Sequence, residues 1–348
     1  MKRILKHSNK RIMKTATVLL IAFLIISQTG CGDKEPVTGS GEYLDTLCEI
    51  TVYDMDEEEA EAVITDAFGQ VEKYEKILSK TIDGSDVDRI NKAKGKQVKV
   101  SNPCAEVIKM GIQAGDLSDG DFDISIGSVT DLWDFKAENP QVPSEDELMK
   151  AVQTVNYKKV HIDKKTVKIE NQDSELDLGG IAKGYVADMV TEYLAERGVE
   201  NAIVNFGGNV VTMGSKEDGQ PFVIGIERPF SDRTEIVGSV NVIDKTIVTS
   251  GIYERKFESN GVLYHHILDT ETGYPVKTDL EAVTVVADKG NSATCDWIAT
   301  ACLIKGEKGA KEFIKRMQEE YPEINLEAAF INSDNDITMT DGMEIDIQ

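Results

Sequence analysis

Segment 175–188 of the chain combines a strand-like start, a glycine pair and the apolar spacing of a helix. Gly179, Gly180 and Gly184 let a backbone approach a ligand where a Cβ would block it. A glycine turn that opens a helix presents free N–H groups and the positive end of the helix dipole, which suits a phosphate. The segment matches neither G-x-G-x-x-G nor the P-loop pattern. It is therefore either a phosphate-binding turn or an ordinary strand–turn–helix joint.

Asp296 and Thr300 lie four residues apart in a stretch with helical spacing, so their side chains share one face. A carboxylate beside a hydroxyl oxygen suits a hard cation such as Mg²⁺, which keeps several waters and shares the phosphates of its substrate. The structural alternative is an aspartate favoured by the helix dipole and a threonine bonded to its own backbone. Taken alone, the pair favours this alternative.

Histidine is scarce: after the N-terminal segment the chain holds only His161, His265 and His266. Neighbours in a strand face opposite sides, so only one of His265 and His266 can point into a given cleft. Asp269, three residues beyond His266, would be placed to orient such a base. The alternative is a histidine at a strand end followed by a structural D-x-x-T-G turn.

The elements that must position these residues do not alternate as regular strand–helix–strand units. Apolar spacing predicts helices at 57–78, 103–117, 148–155, 185–197, 292–304 and 310–319, the last two being separated at Gly306. Short or alternating apolar runs predict strands at 46–53, 98–100, 160–162, 167–169, 202–204, 222–226, 236–242, 247–249, 253–258, 264–268, 282–287, 328–331 and 337–339. We therefore expect an α+β fold with mixed, largely antiparallel sheets and flanking helices.

Residues 1–30 have the composition of an export signal. Six basic residues precede a ten-residue apolar run at 17–26, which is too short to span a bilayer as a stable helix. Gly30 precedes Cys31, so we expect a lipoprotein signal and a mature chain that starts at a lipidated, palmitate-bearing Cys31 on the extracytoplasmic face of the membrane. A plain secretory signal or an uncleaved anchor is the alternative, and Met13 is an alternative start. Residues 31–41 read as a tether, and 42–348 as one domain.

Charge limits the partners of the mature chain. Removing the six basic residues of segment 1–30 from the 38 in the chain leaves 32, against 62 acidic residues, a formal net charge of −30. This excess argues against nucleic acid and anionic lipid as partners. A polyphosphate ligand would need a metal ion or local basic groups to offset the repulsion.

The four cysteines beyond Cys31 show neither metal spacing nor a plausible disulfide. Cys295 and Cys302 are seven residues apart on a predicted helix, so their Cα atoms are about 10 Å apart. A disulfide needs less than about 7 Å. No C-x-x-C or zinc-type Cys/His spacing occurs. We expect buried apolar cysteines or free thiols.

Six motifs, taken in order, resemble the ApbE family, the FAD:protein FMN transferases. They are S-D-G-D-F-D-I-S-I-G-S-V-T-D-L-W-D-F, D-L-G-G-I-A-K-G-Y, N-F-G-G-N-V, S-G-I-Y-E-R, H-I-L-D-T-E-T-G-Y-P-V and C-D-W-I-A-T. The resemblance extends from about residue 43 to residue 306. It implies an ApbE-like, T-fold-related architecture.

The resemblance also implies a reaction and its site. FAD would bind with its pyrophosphate on Mg²⁺, a threonine of a partner protein would attack the FMN-side phosphorus, and AMP would leave. Acceptors of the family, such as membrane electron-transfer subunits, carry a D-x-x-[ST]-G-A-T threonine. The implied metal ligands are the carbonyl of Ala182 and the side chains of Asp296 and Thr300, with His266 as base. The implied flavin site comprises Leu44, Thr81, Asp121, Phe122, Asp123, Tyr185 and the backbone of Leu268.

Some positions depart from the family pattern. Leu44 stands where Met is frequent, Thr81 where an aromatic often stacks on the flavin, Asp121 for a small residue and Thr270 for a proline. Two other functions stay open: Mg²⁺-dependent hydrolysis of FAD to FMN and AMP, and a non-catalytic flavin-binding lipoprotein. The presence of His266 and of the predicted metal ligands counts against the last. Nothing in the sequence separates transfer from hydrolysis.

Overall fold

The structure is a computed structural model that describes residues 34–216, 218–231 and 235–347. The predicted signal segment and Cys31 lie outside the described residues. Within the described ranges, no helix combines the length and the apolar character needed to cross a membrane.

The described residues form sixteen strands and seven helices in mixed order. The strands are β1 (Val37–Tyr43), β2 (Thr46–Val52), β3 (Val98–Lys99), β4 (Val160–Asp163), β5 (Thr166–Ile169), β6 (Ala202–Phe206), β7 (Asn209–Met213), β8 (Phe222–Glu227), β9 (Ile236–Val242), β10 (Lys245–Gly251), β11 (Lys256–Ser259), β12 (Val262–His265), β13 (Leu280–Asp288), β14 (Glu327–Asn332), β15 (Ile337–Met339) and β16 (Asp346–Ile347). The helices are α1 (Glu57–Leu78), α2 (Asp86–Lys92), α3 (Asn102–Leu117), α4 (Gly127–Trp133), α5 (Glu145–Val152), α6 (Ala182–Glu196) and α7 (Ser292–Glu320).

A central sheet of eight described strands has the order β1-β2-β6-β7-β10-β13-β14-β15, and all of its neighbouring pairs are antiparallel. Smaller antiparallel sheets are formed by β16-β9-β8, by β3-β5-β4 and by the hairpin β11-β12. This arrangement confirms the predicted α+β class with largely antiparallel sheets.

The two faces of the central sheet are buried against different layers, because side chains alternate along each strand. In β10, Val248 joins the main core formed with helices α1, α6 and α7, whereas Ile247 joins a second core with strands β8 and β9. In β13, Val285 likewise joins the main core and Val286 joins the second core. The sheet therefore lies between a helical layer and a small sheet, and the helical layer carries much of the site.

The predicted tether over 31–41 is too long. Its last five residues belong to β1, which pairs with β2 along its whole length, from Val37 opposite Val52 to Tyr43 opposite Thr46. The glycines that make this segment resemble a linker allow close packing instead: a Cβ at Gly39 would lie 2.5 Å from Cγ2 of Ile64 on α1. The compact unit accordingly begins at Lys34 rather than at residue 42.

Other boundaries agree with the sequence or differ by a few residues. α1 and β9 match their predicted ranges, and α7 contains the predicted break, with Gly306 at φ 66° and ψ 172°. The sequence pattern missed the short helices α2 and α4 and strand β7. These elements span only five to seven residues, which is too short for a clear periodic signal.

Candidate active site

A cavity of about 550 Å³ collects residues from the β1–β2 turn, the end of α1, the loop before α4, the start of α6 and the first turns of α7. This volume is in the range of small-molecule sites. All the predicted catalytic, flavin-binding and metal-binding residues except Tyr185 line it: Leu44, Thr81, Asp121, Phe122, Asp123, Ala182, His266, Leu268, Asp296 and Thr300.

The helical end of the cavity is formed where α6 and α7 begin side by side. A Cβ at Gly184 would lie 2.3 Å from the carbonyl oxygen of Ser292, so this glycine serves the contact between helices rather than a ligand. Asp188 on α6 accepts the backbone N–H groups of Ser292 and Ala293, at 2.9 and 3.0 Å, and so satisfies two free donors at the start of α7. Burial raises the pKa of Asp188 to about 7.

Asp296 lies in this helical end and is only 1% exposed. Its Oδ2 accepts the N–H of Gly184 at 3.1 Å, and its Oδ1 lies 3.3 Å from Nζ of Lys183. Thr300 donates its hydroxyl to the carbonyl of Asp296, one turn earlier, at 3.2 Å. The backbone bond expected of a structural threonine is thus present, and the Thr300 oxygen keeps its lone pairs for a cation.

The donor set at the helical end fits Mg²⁺. It offers one carboxylate, one hydroxyl and the carbonyl of Ala182, all hard oxygen donors that line one cavity. Within the described part of the chain, no group of three or more His, Cys, Asp and Glu side chains could hold a metal ion. A cation held here would therefore complete its shell with water and with oxygens of the substrate.

The hairpin end of the cavity lies at the base of β11–β12. Lys256 pairs with His265 in the ladder, and His266 then donates its backbone N–H to the carbonyl of Arg255 at 3.1 Å. His266 lines the cavity, whereas His265 is 6% exposed and is not among the lining residues. Alternation along the chain separates the two rings, as the sequence pattern predicts.

Both histidines are neutral at neutral pH. Burial lowers the pKa of His265 to about 4. Burial also lowers the pKa of His266, and the positive charges of Arg255 and Lys183 with the neighbouring His265 lower it further, to about 3. A neutral imidazole can accept a proton, and Nδ1 of His266 has no hydrogen-bond partner among the described residues.

Asp269 does not orient His266. Its Oδ1 accepts the N–H groups of Glu271 and Thr272, at 2.9 and 2.7 Å, and the Thr272 hydroxyl at 3.0 Å. The D-x-x-T-G segment is thus a structural turn, as the alternative interpretation of the sequence held, and the turn ends at Gly273 with φ 72°.

The loop before α4 forms a wall of the cavity with its Asp121-Phe122-Asp123 run. Asp121 is paired with Lys305 of α7 at 2.5 Å. Asp123 is buried and accepts the N–H groups of Ser125 and Tyr157, at 2.7 and 2.9 Å. Burial raises its pKa. Asp123 therefore holds the shape of the loop, and Phe122 offers the apolar surface.

The β1–β2 turn and the end of α1 form the opposite wall. Leu44 and Asp45 have φ values of 53° and 61°, as in a two-residue type I′ hairpin turn. Glu75 of α1 accepts the N–H of Leu44 at 2.8 Å and so holds this turn at the cavity. Thr81 shares a hydroxyl hydrogen bond of 3.0 Å with Ser79.

Tyr185 lies elsewhere. Its hydroxyl donates to Glu106 on α3 at 2.7 Å, and its ring meets Tyr74 edge-on at 6.0 Å between centroids. It is 5% exposed and faces α1 and α3, because Gly184, the residue before it, faces α7. The structure thus does not bring Tyr185 to the cavity, and the predicted flavin contact of this residue is not seen.

Several lining residues were missed by sequence reasoning: Lys80, Phe135, Asp177, Lys183 and Arg255. All but Lys80 stand inside one of the six quoted motifs, so a signal was present. A motif match, however, does not say which of its side chains faces the ligand.

Lys80 joins three segments of the cavity wall. Its Nζ donates to Thr130 and Asp131 of α4, both at 2.6 Å, and lies 3.0 Å from Asp177. Burial alone would lower the pKa of this amine, but the two carboxylates raise it above its ordinary value. Because this amine already contacts Thr130, Asp131 and Asp177, its role is to hold these segments of the cavity wall together.

The chain is similar in sequence to proteins of one family. The model of the ApbE family matches residues 44–324. A protein of Klebsiella pneumoniae (strain 342) named FAD:protein FMN transferase is 33% identical over 283 residues, which cover 80% of this chain and 85% of that protein. A protein of Treponema pallidum (strain Nichols) with the same name is 30% identical over 315 residues, which cover 86% of this chain and 85% of that protein.

Solved structures are similar as well. The crystal structure of an ApbE protein from Thermotoga maritima superposes with a TM-score of 0.80 at 28% identity, covering 88% of this chain and 97% of that chain. The flavin transferase ApbE from Vibrio cholerae gives a TM-score of 0.73 at 27% identity, covering 88% of this chain and 96% of that chain.

Proposed function

Because the chain belongs to the ApbE family of flavin transferases, we propose that it moves the FMN part of FAD onto a threonine hydroxyl of an acceptor protein and releases AMP. The observation that carries this proposal is the meeting of two unlike groups in one cavity. The buried carboxylate of Asp296 and the half-buried hydroxyl of Thr300 line the same cavity as a neutral histidine, His266.

The helical end would hold the pyrophosphate of FAD through a cation. Asp296, Thr300 and the Ala182 carbonyl would bind Mg²⁺, which when bound would offset the charge of the pyrophosphate and of the departing AMP. Lys183, 3.3 Å from Asp296, adds a positive charge at the same end. Such positioning and charge compensation are the main protein contributions to phosphoryl transfer.

The hairpin end would accept the proton of the attacking threonine hydroxyl. The threonine oxygen bonds to the FMN-side phosphorus, the bond from that phosphorus to the bridging oxygen breaks, and AMP leaves with that oxygen. His266 takes the hydroxyl proton, a role that needs a neutral imidazole. The negative charge of bound pyrophosphate acts against the lowering of its pKa by Arg255 and Lys183, which makes His266 a stronger base in the complex.

The experiment that tests the function uses an acceptor domain with a D-x-x-[ST]-G-A-T threonine, FAD and Mg²⁺. The denatured acceptor should keep flavin fluorescence, and an acceptor whose threonine is replaced by alanine should not. If FMN and AMP form at one rate with and without acceptor, and no protein is labelled, the chain is an FAD hydrolase instead.

We also propose that the enzyme is anchored by a lipid on Cys31 and works on the extracytoplasmic face of the membrane. The support is the sequence pattern of residues 1–31, which lie outside the described part of the structure. Cys31→Ala should remove the lipid mass and release the protein from membranes. Membrane retention with unchanged mass would contradict this anchor.

A further inference from the structure

Most charges that line the cavity are already paired. Among its described lining residues, nine are acidic and four are basic. Three of the basic residues are engaged: Lys80 with Asp131 and Asp177, Lys136 with Asp45, and Lys183 with Asp296.

Arg255 is the exception. It lines the same cavity and is half-buried, yet no ion pair or side-chain hydrogen bond joins its guanidinium to another described residue. The five N–H donors of this guanidinium are therefore not committed to any described side chain and remain available to a ligand. In an acidic cavity, an unpaired guanidinium is the group best able to receive an anion.

The position of Arg255 is fixed beside the proposed base. It ends the S-G-I-Y-E-R motif, whose other residues the proposed mechanism does not use, and its carbonyl accepts the backbone N–H of His266 at 3.1 Å. The next residue, Lys256, turns the other way: it is exposed and lies over the ring of Phe230 at 4.8 Å. Of these two neighbouring cations, only Arg255 lines the cavity.

We propose that Arg255 is a catalytic residue that donates to the non-bridging oxygens of the FMN-side phosphate of FAD and stabilises the charge on them during transfer. This inference rests on the proposed function. A guanidinium suits the task because its planar fork gives two parallel hydrogen bonds to one phosphate. The step needs no proton from Arg255, since the proton of the attacking hydroxyl goes to His266 and AMP leaves with the bridging oxygen.

The test compares Arg255→Gln and Arg255→Lys with the matched control Lys256→Gln. Arg255→Gln should lower kcat/KM for acceptor labelling by about 10²- to 10³-fold, as loss of one transition-state donor does. Arg255→Lys, which keeps the charge without the fork, should recover part of this loss. Lys256→Gln removes the same charge one residue away and should stay within about two-fold of wild type.

Ligand binding distinguishes a contact between Arg255 and phosphate from a merely structural role. Flavin fluorescence titrations with FAD and with riboflavin, which has no phosphate, should show that Arg255→Gln weakens FAD binding about tenfold and leaves riboflavin binding unchanged. Equal weakening of both ligands, or wild-type labelling by Arg255→Gln, would overturn the proposal. If Arg255→Gln does not fold, Arg255→Lys decides the same question, because wild-type kinetics would mean that the fork has no role.

The two proposals fail in different ways. If wild-type enzyme labels no acceptor, the proposed transfer is wrong, and the comparison of FAD with riboflavin still tests Arg255. If wild type labels the acceptor and Arg255→Gln labels it equally fast, only the role of Arg255 is wrong.

Discussion

The two ends of the cavity are built in opposite ways. At the helical end, Asp296 is 1% exposed on a 29-residue helix, and its neighbours Cys295 and Ile298 are fully buried in the main core. At the hairpin end, Arg255 directly precedes β11 and His266 directly follows β12, and these two strands form a ladder of only four residue pairs. Near the tip of this hairpin, Val262 is 50% exposed and Leu263 is 39% exposed.

The hairpin end is supported by a separate cluster. Trp133 is fully buried among Phe135, Phe257, Tyr264 and Tyr274, and its indole N–H donates to the carbonyl of Gly273 at 2.7 Å. This cluster is small and lies apart from the main core. Elements with fewer buried contacts open at lower free energy than core helices do. Under the proposed function, the more rigid helical end would hold FAD, and the more adaptable hairpin end would leave room for an acceptor protein.

The largest effect is expected at the rigid end. Asp296→Ala removes the carboxylate of the proposed metal site and should lower the transfer rate at least about 10³-fold, equivalent to about 4 kcal/mol. The fold should survive, with a loss of about 1–3 kcal/mol from the unpaired N–H of Gly184. Steady-state rates and thermal unfolding with and without Mg²⁺ measure both effects.

A matched carboxylate gives the control for this variant. Glu312→Gln, on the exposed part of the same helix, should keep both the rate and the stabilisation by Mg²⁺. A fully active Asp296→Ala enzyme, still stabilised by Mg²⁺, would remove Asp296 from the metal site.

Loss of the proposed base, His266, should lower the transfer rate slightly less than loss of Asp296. His266→Ala should lose about 10²- to 10⁴-fold in kcat and keep its affinity for FAD, because general-base help is lost while the helical end still holds the pyrophosphate. His265→Ala should stay near wild type per folded molecule. The opposite ranking of the two variants would show that the wrong ring has been assigned to the cavity.

The aromatic cluster that supports the hairpin can be weakened separately from the helical end. Trp133→Ala should cost about 3–5 kcal/mol of stability by opening a cavity in the aromatic cluster, and transfer should fall because Leu268 and the hairpin lose their support. Trp133→Phe keeps most of the packing and should cost less. Mg²⁺ should still stabilise Trp133→Phe. Loss of that stabilisation would show that the two ends are not separate.

The smallest expected effect is the pH dependence caused by His265. Its pKa is about 4 in the folded protein and 6.5 ordinarily, so the unfolded chain binds the proton first as the pH falls. Stability should therefore decline between about pH 6.5 and pH 4, by up to about 3 kcal/mol from this residue. Denaturant unfolding across this range should show a shallower decline in His265→Leu, and an unchanged decline would contradict the assignment.

Elements with long, regular patterns were predictable from the sequence. The 22 residues of α1 carry buried side chains at helical intervals, and both of its ends were predicted correctly. Strand β1 was not, because Gly39, Ser40 and Gly41 have weak strand preference in isolation. Only the packing of α1 against Gly39 explains why a glycine is needed there.

The site was predictable at the level of motifs and less so at the level of side chains. Asp296 and Thr300 share a face by helical spacing alone, and the structure brings that face to the cavity. Tyr185 belongs to one of the six motifs, but its hydroxyl donates to Glu106 away from the cavity. Lys80 belongs to none of them, yet it lines the cavity and donates to Thr130. Which way a side chain turns depends on distant segments that the local pattern does not contain.

The most direct test of flavin transfer measures two products in one reaction. With FAD, Mg²⁺ and a threonine-bearing acceptor, AMP released and flavin retained on the denatured acceptor should appear in a one-to-one ratio. Both should fall together in His266→Ala and in Asp296→Ala. AMP released at the full wild-type rate, with no flavin retained on the acceptor, would contradict transfer and identify water as the true acceptor.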